Sequence, residues 1–448
     1  MPDVAALLAR NVPRYTSYPT APHFSAAVTD DTYVAWLQNL DPDVTLSLYL
    51  HVPFCDELCL YCGCTTAVVR KPGPRLRYAD LLRSEITKVA ELLGARRKVS
   101  RIHWGGGTPT ALPDSALLGI AETLKTHFDI ADDAEIAMEF DPRHLAADRL
   151  AAVLELGVNR ASLGVQDFDP VVQRAIGRIQ SFETTQTCAR SLRDIGVRSL
   201  NLDLIYGLPH QTLTGAIDTA HQALALQPDR LAVFGYAHVP WMKRHQKLLA
   251  PADLPDATLR LAQRGAIDDV LTGSGFIRIG LDHYARPDDS LALAAASGRL
   301  RRNFQGYTDD VAGALIGFGA SAIGSLPDGI AQNATTVPEY AEAINHNTLP
   351  IARGVQLSAD DRLRGDIIQA LMCDLRADIA AIVDRHAASL AELHGNIEQL
   401  RELAACGVVT WDGAVATITP AGQPYVRSVA AVFDAYLAAD STRHASAA

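Results

Sequence analysis

Short apolar runs alternate with helix-length amphipathic stretches over about 200 residues, and this alternation limits the folds open to the chain more than any other feature. The runs read as strands near 46–52, 101–104, 135–140, 160–165, 199–206 and 230–236, with helices between them near 78–94, 114–127, 145–156, 181–195 and 215–227. Parallel strands joined through helices cross over right-handedly. Repeated six times, that unit curls into a partial TIM-like (β/α)6 barrel, an α/β fold whose reactive groups belong at the C-terminal strand ends. The unusual residues fall there: a cysteine loop after the first strand, Gly105-Gly-Gly-Thr108 after the second and Glu139 closing the third. Gln166, Asp203 and Tyr236-Ala237 close the fourth, fifth and sixth.

An arm at 1–45 precedes the barrel, whose domain is expected over 46–350 with extra strand-like pieces at 276–284, 301–307 and 315–324. Beyond Pro350 the pattern predicts helices near 358–376 and 379–405, a hairpin over 408–418 turning at Asp412-Gly413, and a last helix near 420–437. This is a small, mostly helical, winged-helix-like unit at 351–440, expected to act as a lid or in packing rather than in reading DNA. The tail at 441–448 is small and polar and is expected to be disordered. A formal net charge of −11 speaks against general affinity for nucleic acid or an anionic membrane, both of which need basic surface. It leaves room for an anionic small molecule in a local basic pocket. With no 18-residue apolar run and no visible secretory signal, a cytoplasmic location with reduced thiols is expected.

Four cysteines, Cys55, Cys59, Cys62 and Cys64, stand within ten residues. The C-x3-C-x2-C spacing of the first three differs from the paired C-x2-C knuckles that enclose zinc. Three thiolates on a tight loop can bind three corners of a four-iron cluster and leave the fourth iron open. From the cysteines alone, a structural zinc site or, in a secreted chain, disulfides remain as alternatives. Cys188, Cys373 and Cys406 stand apart and read as buried, inert thiols. The three glycines let a backbone without Cβ atoms approach a cofactor closely, or simply form a tight βα turn.

Taken together, the segments Arg14-Tyr-Thr-Ser-Tyr-Pro-Thr20, Cys55 to Cys64, His103-Trp-Gly-Gly-Gly-Thr-Pro-Thr110, Glu139-Phe-Asp-Pro142, Gly164-Val-Gln-Asp-Phe168, Asn201-Leu-Asp-Leu-Ile-Tyr-Gly-Leu-Pro209, Tyr236-Ala-His238 and Arg302-Asn-Phe-Gln-Gly-Tyr307 make a recognisable set. With it the chain resembles, over nearly its whole length, the oxygen-independent coproporphyrinogen III oxidases (coproporphyrinogen III dehydrogenases) of the radical S-adenosylmethionine (SAM) superfamily. The resemblance implies oxidative decarboxylation of two propionates of coproporphyrinogen III to vinyl groups, giving protoporphyrinogen IX in haem biosynthesis through a 5'-deoxyadenosyl radical. It implies a [4Fe-4S] cluster on Cys55, Cys59 and Cys62, and two SAM molecules. Tyr49, Gly106, Glu139 and Ile323 match positions at the first SAM; Tyr61, Gly107, Thr108, Gln166, Arg178, Asp203 and Ala237 match positions at the second. Tyr61 replaces the phenylalanine of some members, and Arg178 lies in Ile176-Gly-Arg-Ile-Gln180, where relatives carry Asn before the Arg and Glu after it.

The same resemblance places Tyr49 and Glu139 in the catalytic set, Phe304 and Gln305 near the substrate cavity, and Cys64 beside the cluster as a pocket residue. Because the implied substrate is a tetracarboxylate, Arg14 is the first candidate to face it, the alternative being that it pins the arm to the barrel. It also implies a low-potential electron donor such as flavodoxin or ferredoxin, a monomer, and no nucleic-acid or membrane partner. A haem chaperone and a haem-opening radical methyltransferase of the same superfamily are the rival readings. The Arg14–Thr20 arm and the Cys62-Gly-Cys64 pair weigh against the first, and Asn303-Phe-Gln-Gly-Tyr307 against the second.

Overall fold

The computed structural model describes residues 11–437, so the tail expected at 441–448 lies outside the described residues. Six strands follow one another as anticipated: β1 (Leu46–Val52), β2 (Lys98–Gly106), β3 (Asp129–Phe140), β4 (Arg160–Gln166), β5 (Ser199–Tyr206) and β6 (Arg230–Gly235). All pair in parallel in chain order. The sheet then extends beyond the six, through β7 (Ile277–Ile279) and β8 (His283–Ala285) on one side and β9 (Ala314–Phe318), β10 (Ile323–Leu326), β11 (Gly329–Asn333) and β12 (Ile351–Gln356) on the other. Its order is β12-β11-β10-β9-β1-β2-β3-β4-β5-β6-β8-β7, an open sheet of 12 strands in which β9 lies parallel to β1.

The two-residue period of these strands separates the two faces of the sheet. Leu46, Leu48, Leu50, Ile102, Trp104, Met138, Leu163, Leu202 and Leu204 are buried together in the main core with the crossover helices Pro72–Leu92 and Asp114–His127. The alternate residues are polar and meet one another: Arg101 pairs with Glu135 (2.9 Å) and Asp309 (2.8 Å), and Arg160 with the other oxygen of Glu135 (2.7 Å). Further along, Ser162, Asn201 and Asp203 hydrogen-bond together at 2.8–3.2 Å. An apolar outer face and a polar inner one give this incomplete barrel a lumen suited to polar groups.

Several expected elements differ, among them the piece at 315–324, which is the end of β9 and the start of β10 joined by a turn. The strand predicted over 276–284 is two short antiparallel strands turning at Gly280, which has φ +55°. The long helix predicted over 379–405 is divided into Ile379–Arg385 and His394–Ala405. Ala387 adopts a left-handed φ of +52° between them, and Ser389 opens a new capping box with Glu392. The last helix is reduced to Val426–Ala430 with 3-10 turns either side, because Pro420, Gly422 and Pro424 crowd its start. A three-stranded sheet, Arg376–Asp378 with Val415–Ile418 and Val409–Trp411, completes this C-terminal unit.

The C-terminal unit has its own core, and the N-terminal arm supplies part of it through Val12 and Tyr15. Tyr15 Oη donates to Asp434 (3.0 Å), and the Ala435 amide donates to Tyr18 Oη (2.9 Å). Arg14, between the buried Val12 and Tyr15, reaches back to the end of β6 and donates to the Gly235 carbonyl at 2.8 Å. The arm therefore ties the C-terminal unit to the strand-end rim.

One buried carboxylate joins the closing strands beside the cysteine loop. Glu85, on the helix after β1, accepts from the Gly319 amide, the Asn333 amide group and Tyr340 Oη, each at 2.7 Å. Burial raises its carboxyl to about 7 against these three donors. A carboxyl raised in this way favours the fold fully below its ordinary range and loses that contribution as pH climbs through about 7. Unfolding free energy followed by denaturant titration should therefore decline from pH 5 to pH 8, with that decline reduced in Glu85→Gln. Glu85→Ala should cost roughly 3 kcal/mol or more, because unpaired buried donors cost about 1–3 kcal/mol each.

Candidate active site

The site begins where β1 ends. After Val52 and Pro53 the chain pairs Phe54–Cys55 in parallel with Ala67–Val68, closing the base of the cysteine loop. Inside the loop, the Cys62 amide donates to the Cys59 carbonyl (3.2 Å), and the Leu60 amide donates to Ile176 (2.9 Å) on the turn after β4. The glycine segment closes the other side, with the Gly107 amide on Val52 and the Thr108 amide on Phe54, both 2.8 Å.

The glycines have a nearer cause than approach to a cofactor. A Cβ on Gly107 would lie 2.5 Å from the Phe54 carbonyl oxygen and 3.0 Å from Cys55 Sγ. One on Gly105 would lie 2.7 Å from Glu139 Oε1, and Gly106 has φ +111° over the ring of His51. The triplet thus packs directly against the cysteine loop and the carboxylate of β3. Glu139 is oriented by the Gly106 amide (3.2 Å) and by His103 Nε2 (3.1 Å).

Charge is concentrated beneath Cys59. Asp141, just past the end of β3, receives both terminal nitrogens of Arg178 at 3.2 Å, together with Arg143 Nε (3.0 Å) and Nη2 (2.7 Å). Burial pushes the Asp141 carboxyl up, but the hydrogen bonds from Arg143 and the charge of Arg178 overcome it and hold it at about 2. Each guanidinium also reaches Cys59 Sγ at 3.6 Å, and Thr108 Oγ1 reaches Cys55 Sγ at 3.8 Å. The hydrogen bond from Cys64 lowers the Cys62 thiol, and the same bond raises Cys64, so these two cysteines are unequal. Burial, aided by the charge of Glu139, raises Asp203 to about 6.

These groups face a cavity of about 370 Å3 at the strand ends. It gathers Cys55, Cys59, Cys62 and Cys64 with Tyr61, Gly106, Gly107, Thr108 and Glu139 on one side, and Gln166, Arg178, Asp203, Ala237 and Arg14 on the other. Gln166 enters through a bulge between β4 and β5, with φ +71°. Tyr49 stands behind this wall, hydrogen-bonded to His51 Nδ1 at 3.0 Å. Ile323 opens β10 outside the lining, its carbonyl tight against Gly317. Phe304 and Gln305 form the turn of the hairpin Arg301–Asn303 with Gly306–Thr308 and also lie outside the cavity lining. Arg143 and Asp141 escaped the sequence reading as site residues, although Asp141 sits inside the Glu139–Pro142 segment.

The donor set fits a [4Fe-4S] cluster and SAM. Among the described residues no three His, Cys, Asp or Glu side chains close around a single ion; the three thiols are arrayed along one cavity wall. Arg178 Nε is buried without a hydrogen-bond partner among the described residues, leaving unused donor capacity where an anionic group would sit.

Comparison with known proteins gives a consistent picture. The model of the radical SAM superfamily matches residues 49–223. An oxygen-independent coproporphyrinogen III oxidase from Bradyrhizobium diazoefficiens is 50% identical over 426 residues, covering 95% of each chain. One from Escherichia coli is 40% identical over 95% of this chain and 93% of its own. The solved structure of coproporphyrinogen III oxidase from Escherichia coli, described as a radical SAM enzyme, superposes with a TM-score of 0.92 at 39% identity, covering 97% of this chain and 99% of that one.

The packing of the glycines predicts a sharp contrast. Gly107→Ala should force the Phe54 peptide and Cys55 apart and sharply reduce iron and sulfide bound per chain after anaerobic reconstitution. Gly63→Ala, between two cysteines but with nothing within 4 Å of the added methyl, should retain them.

Proposed function

This chain belongs to the oxygen-independent coproporphyrinogen III oxidase family of radical SAM enzymes, and on that premise we propose how its residues divide the work. The activity is oxidative decarboxylation of two propionates of coproporphyrinogen III to vinyl groups, giving protoporphyrinogen IX. The observation that carries the assignment to this site is the C-x3-C-x2-C loop standing with Glu139, Gln166 and Asp203 around one strand-end cavity. Cys55, Cys59 and Cys62 would hold the [4Fe-4S] cluster, and two SAM molecules would occupy the cavity beside it. When bound there, these groups supply one-electron reductive chemistry and hydrogen-atom abstraction from an unactivated carbon.

The chain's own contribution is positioning and charge. Arg143 and Arg178 hold Asp141 ionised and direct N–H donors at Cys59 Sγ. Glu139, fixed by Gly106 and His103, would accept hydrogen bonds from the amine or ribose of the first SAM. Arg178, Asp203, Gln166 and Thr108 face the second. Cys64 donates to Cys62 and remains a thiol on the pocket wall. Arg14 brings a guanidinium to the rim on an arm anchored at both sides, which suits a propionate carboxylate that must be bound in fixed register. Tyr49, Phe304, Gln305 and Ile323, outside the lining, would act from behind the wall or on the substrate side.

No helix among the described residues is long and apolar enough to cross a membrane, and all seven cysteines are free. Free thiols at all seven cysteines support a reducing setting, and a cytoplasmic monomer that takes electrons from a low-potential flavodoxin or ferredoxin completes the reading. Protoporphyrinogen IX formation from coproporphyrinogen III and SAM under anaerobic conditions tests the reading. Serine at Cys55, Cys59 or Cys62 should remove cluster absorption and product together. Cys64→Ser should keep the absorption and lose most product. Arg14→Gln should keep the cluster and raise KM for coproporphyrinogen about tenfold or more, the scale of a lost charge-assisted hydrogen bond. A fully loaded protein that forms no product contradicts the assignment.

A further inference from the structure

The segment after β6 forms the outer wall of the cysteine loop. Lys243 Nζ donates to the Cys64 carbonyl (2.9 Å), His245 Nε2 contacts the Cys62 carbonyl (2.7 Å), and Gln246 Nε2 donates to the Tyr61 carbonyl (2.9 Å). While those side chains grip the loop, their neighbours face outward. Arg244 and Lys247 are exposed, and so are three large apolar side chains, Trp241 (61%), Met242 (63%) and Leu248 (73%). No Asp or Glu occurs between Asp229 and Asp253, in a chain whose formal net charge is −11. Exposed Trp, Met and Arg together are the composition of a protein-binding core rather than of ordinary surface.

We propose that this patch docks the electron donor, an acidic low-potential electron-transfer protein. The proposal rests on the cluster assignment above. Charge selects the partner: an acidic protein is repelled by most of this molecule and attracted where the basic residues concentrate, so encounter is steered to this face. A second copy of the chain fits less well, because a two-fold contact would bring two basic patches together. The site suits its task, since the segment that carries the patch contacts the cysteine loop directly through these three side chains. In the transfer a single electron leaves the reduced donor and enters the cluster; no bond or proton changes hands, and the donor is released oxidised by that electron.

The test uses anaerobically loaded protein and a flavodoxin as probe, with binding followed by calorimetry and cluster reduction by stopped-flow absorption. Arg244→Glu combined with Lys247→Glu should weaken flavodoxin binding about tenfold or more, consistent with like-charge juxtaposition costing several kcal/mol. Trp241→Ala should weaken it independently, and added salt should weaken the wild type much more than the charge variant. Reduction by flavodoxin should slow in parallel, while reduction by dithionite, which needs no protein docking, stays unchanged. Binding and reduction unaltered in all variants, no flavodoxin binding by the wild type, or a dimer held through this patch would each overturn the proposal. A variant that also loses reduction by dithionite would overturn it too, by placing the defect in the cluster rather than in the encounter. Absence of a reducible cluster from the wild type would count against the cluster assignment itself.

Discussion

The buried pairing of Arg178 with Asp141, shared with Arg143, is the contact on which the site depends. It joins the end of β3 to the turn after β4, and both guanidiniums continue to Cys59 Sγ. Arg143 also pairs with Glu57 on the loop itself (2.8 Å), so the two guanidiniums are matched by two carboxylates and tie the loop to the end of β3. A buried charge pair is costly to desolvate, and removal of one partner typically costs about 3–5 kcal/mol because the other is left uncompensated. Here the pair also serves the loop, since each guanidinium keeps an N–H directed at Cys59 Sγ at 3.6 Å.

That local arrangement relies on the parallel sheet. Seven neighbouring strands, β9 and β1 to β6, run in one direction and deliver their last residues to one rim. The division of the sheet into an apolar outer face and a polar lumen lets Glu139, Ser162 and Asp203 stand inward without loss to the core. The arm and C-terminal unit then place Arg14 over the same rim from the far side.

Much of this was legible in the sequence because it rests on local periodicity. The six strands read from apolar runs are the six that form, and Cys55, Cys59, Cys62, Glu139, Gln166 and Asp203, read at strand ends, line one cavity. What was not legible depends on contacts distant in sequence. Arg178 meets Asp141 across 37 positions, and nothing near Arg143 marks it as more than a surface charge. The glycine triplet was visible, but its reason, a close approach to Phe54 and Cys55, needed the folded loop. Among the positions without a strand-end signal, Arg14, Tyr61 and Arg178 reach the lining, while Tyr49, Phe304, Gln305 and Ile323 lie outside it. Helix lengths in the C-terminal unit failed where one residue, Ala387, takes a left-handed conformation that composition does not announce.

The central claim is that three of the four clustered cysteines hold iron and leave one iron of a four-iron cluster open to SAM. Mössbauer spectroscopy of the anaerobic, iron-57-loaded protein, with and without SAM, tests this most directly. One iron in four should change its isomer shift when SAM is added while the other three do not. Four irons that all remain unchanged, or a site that retains zinc and no iron, would contradict it.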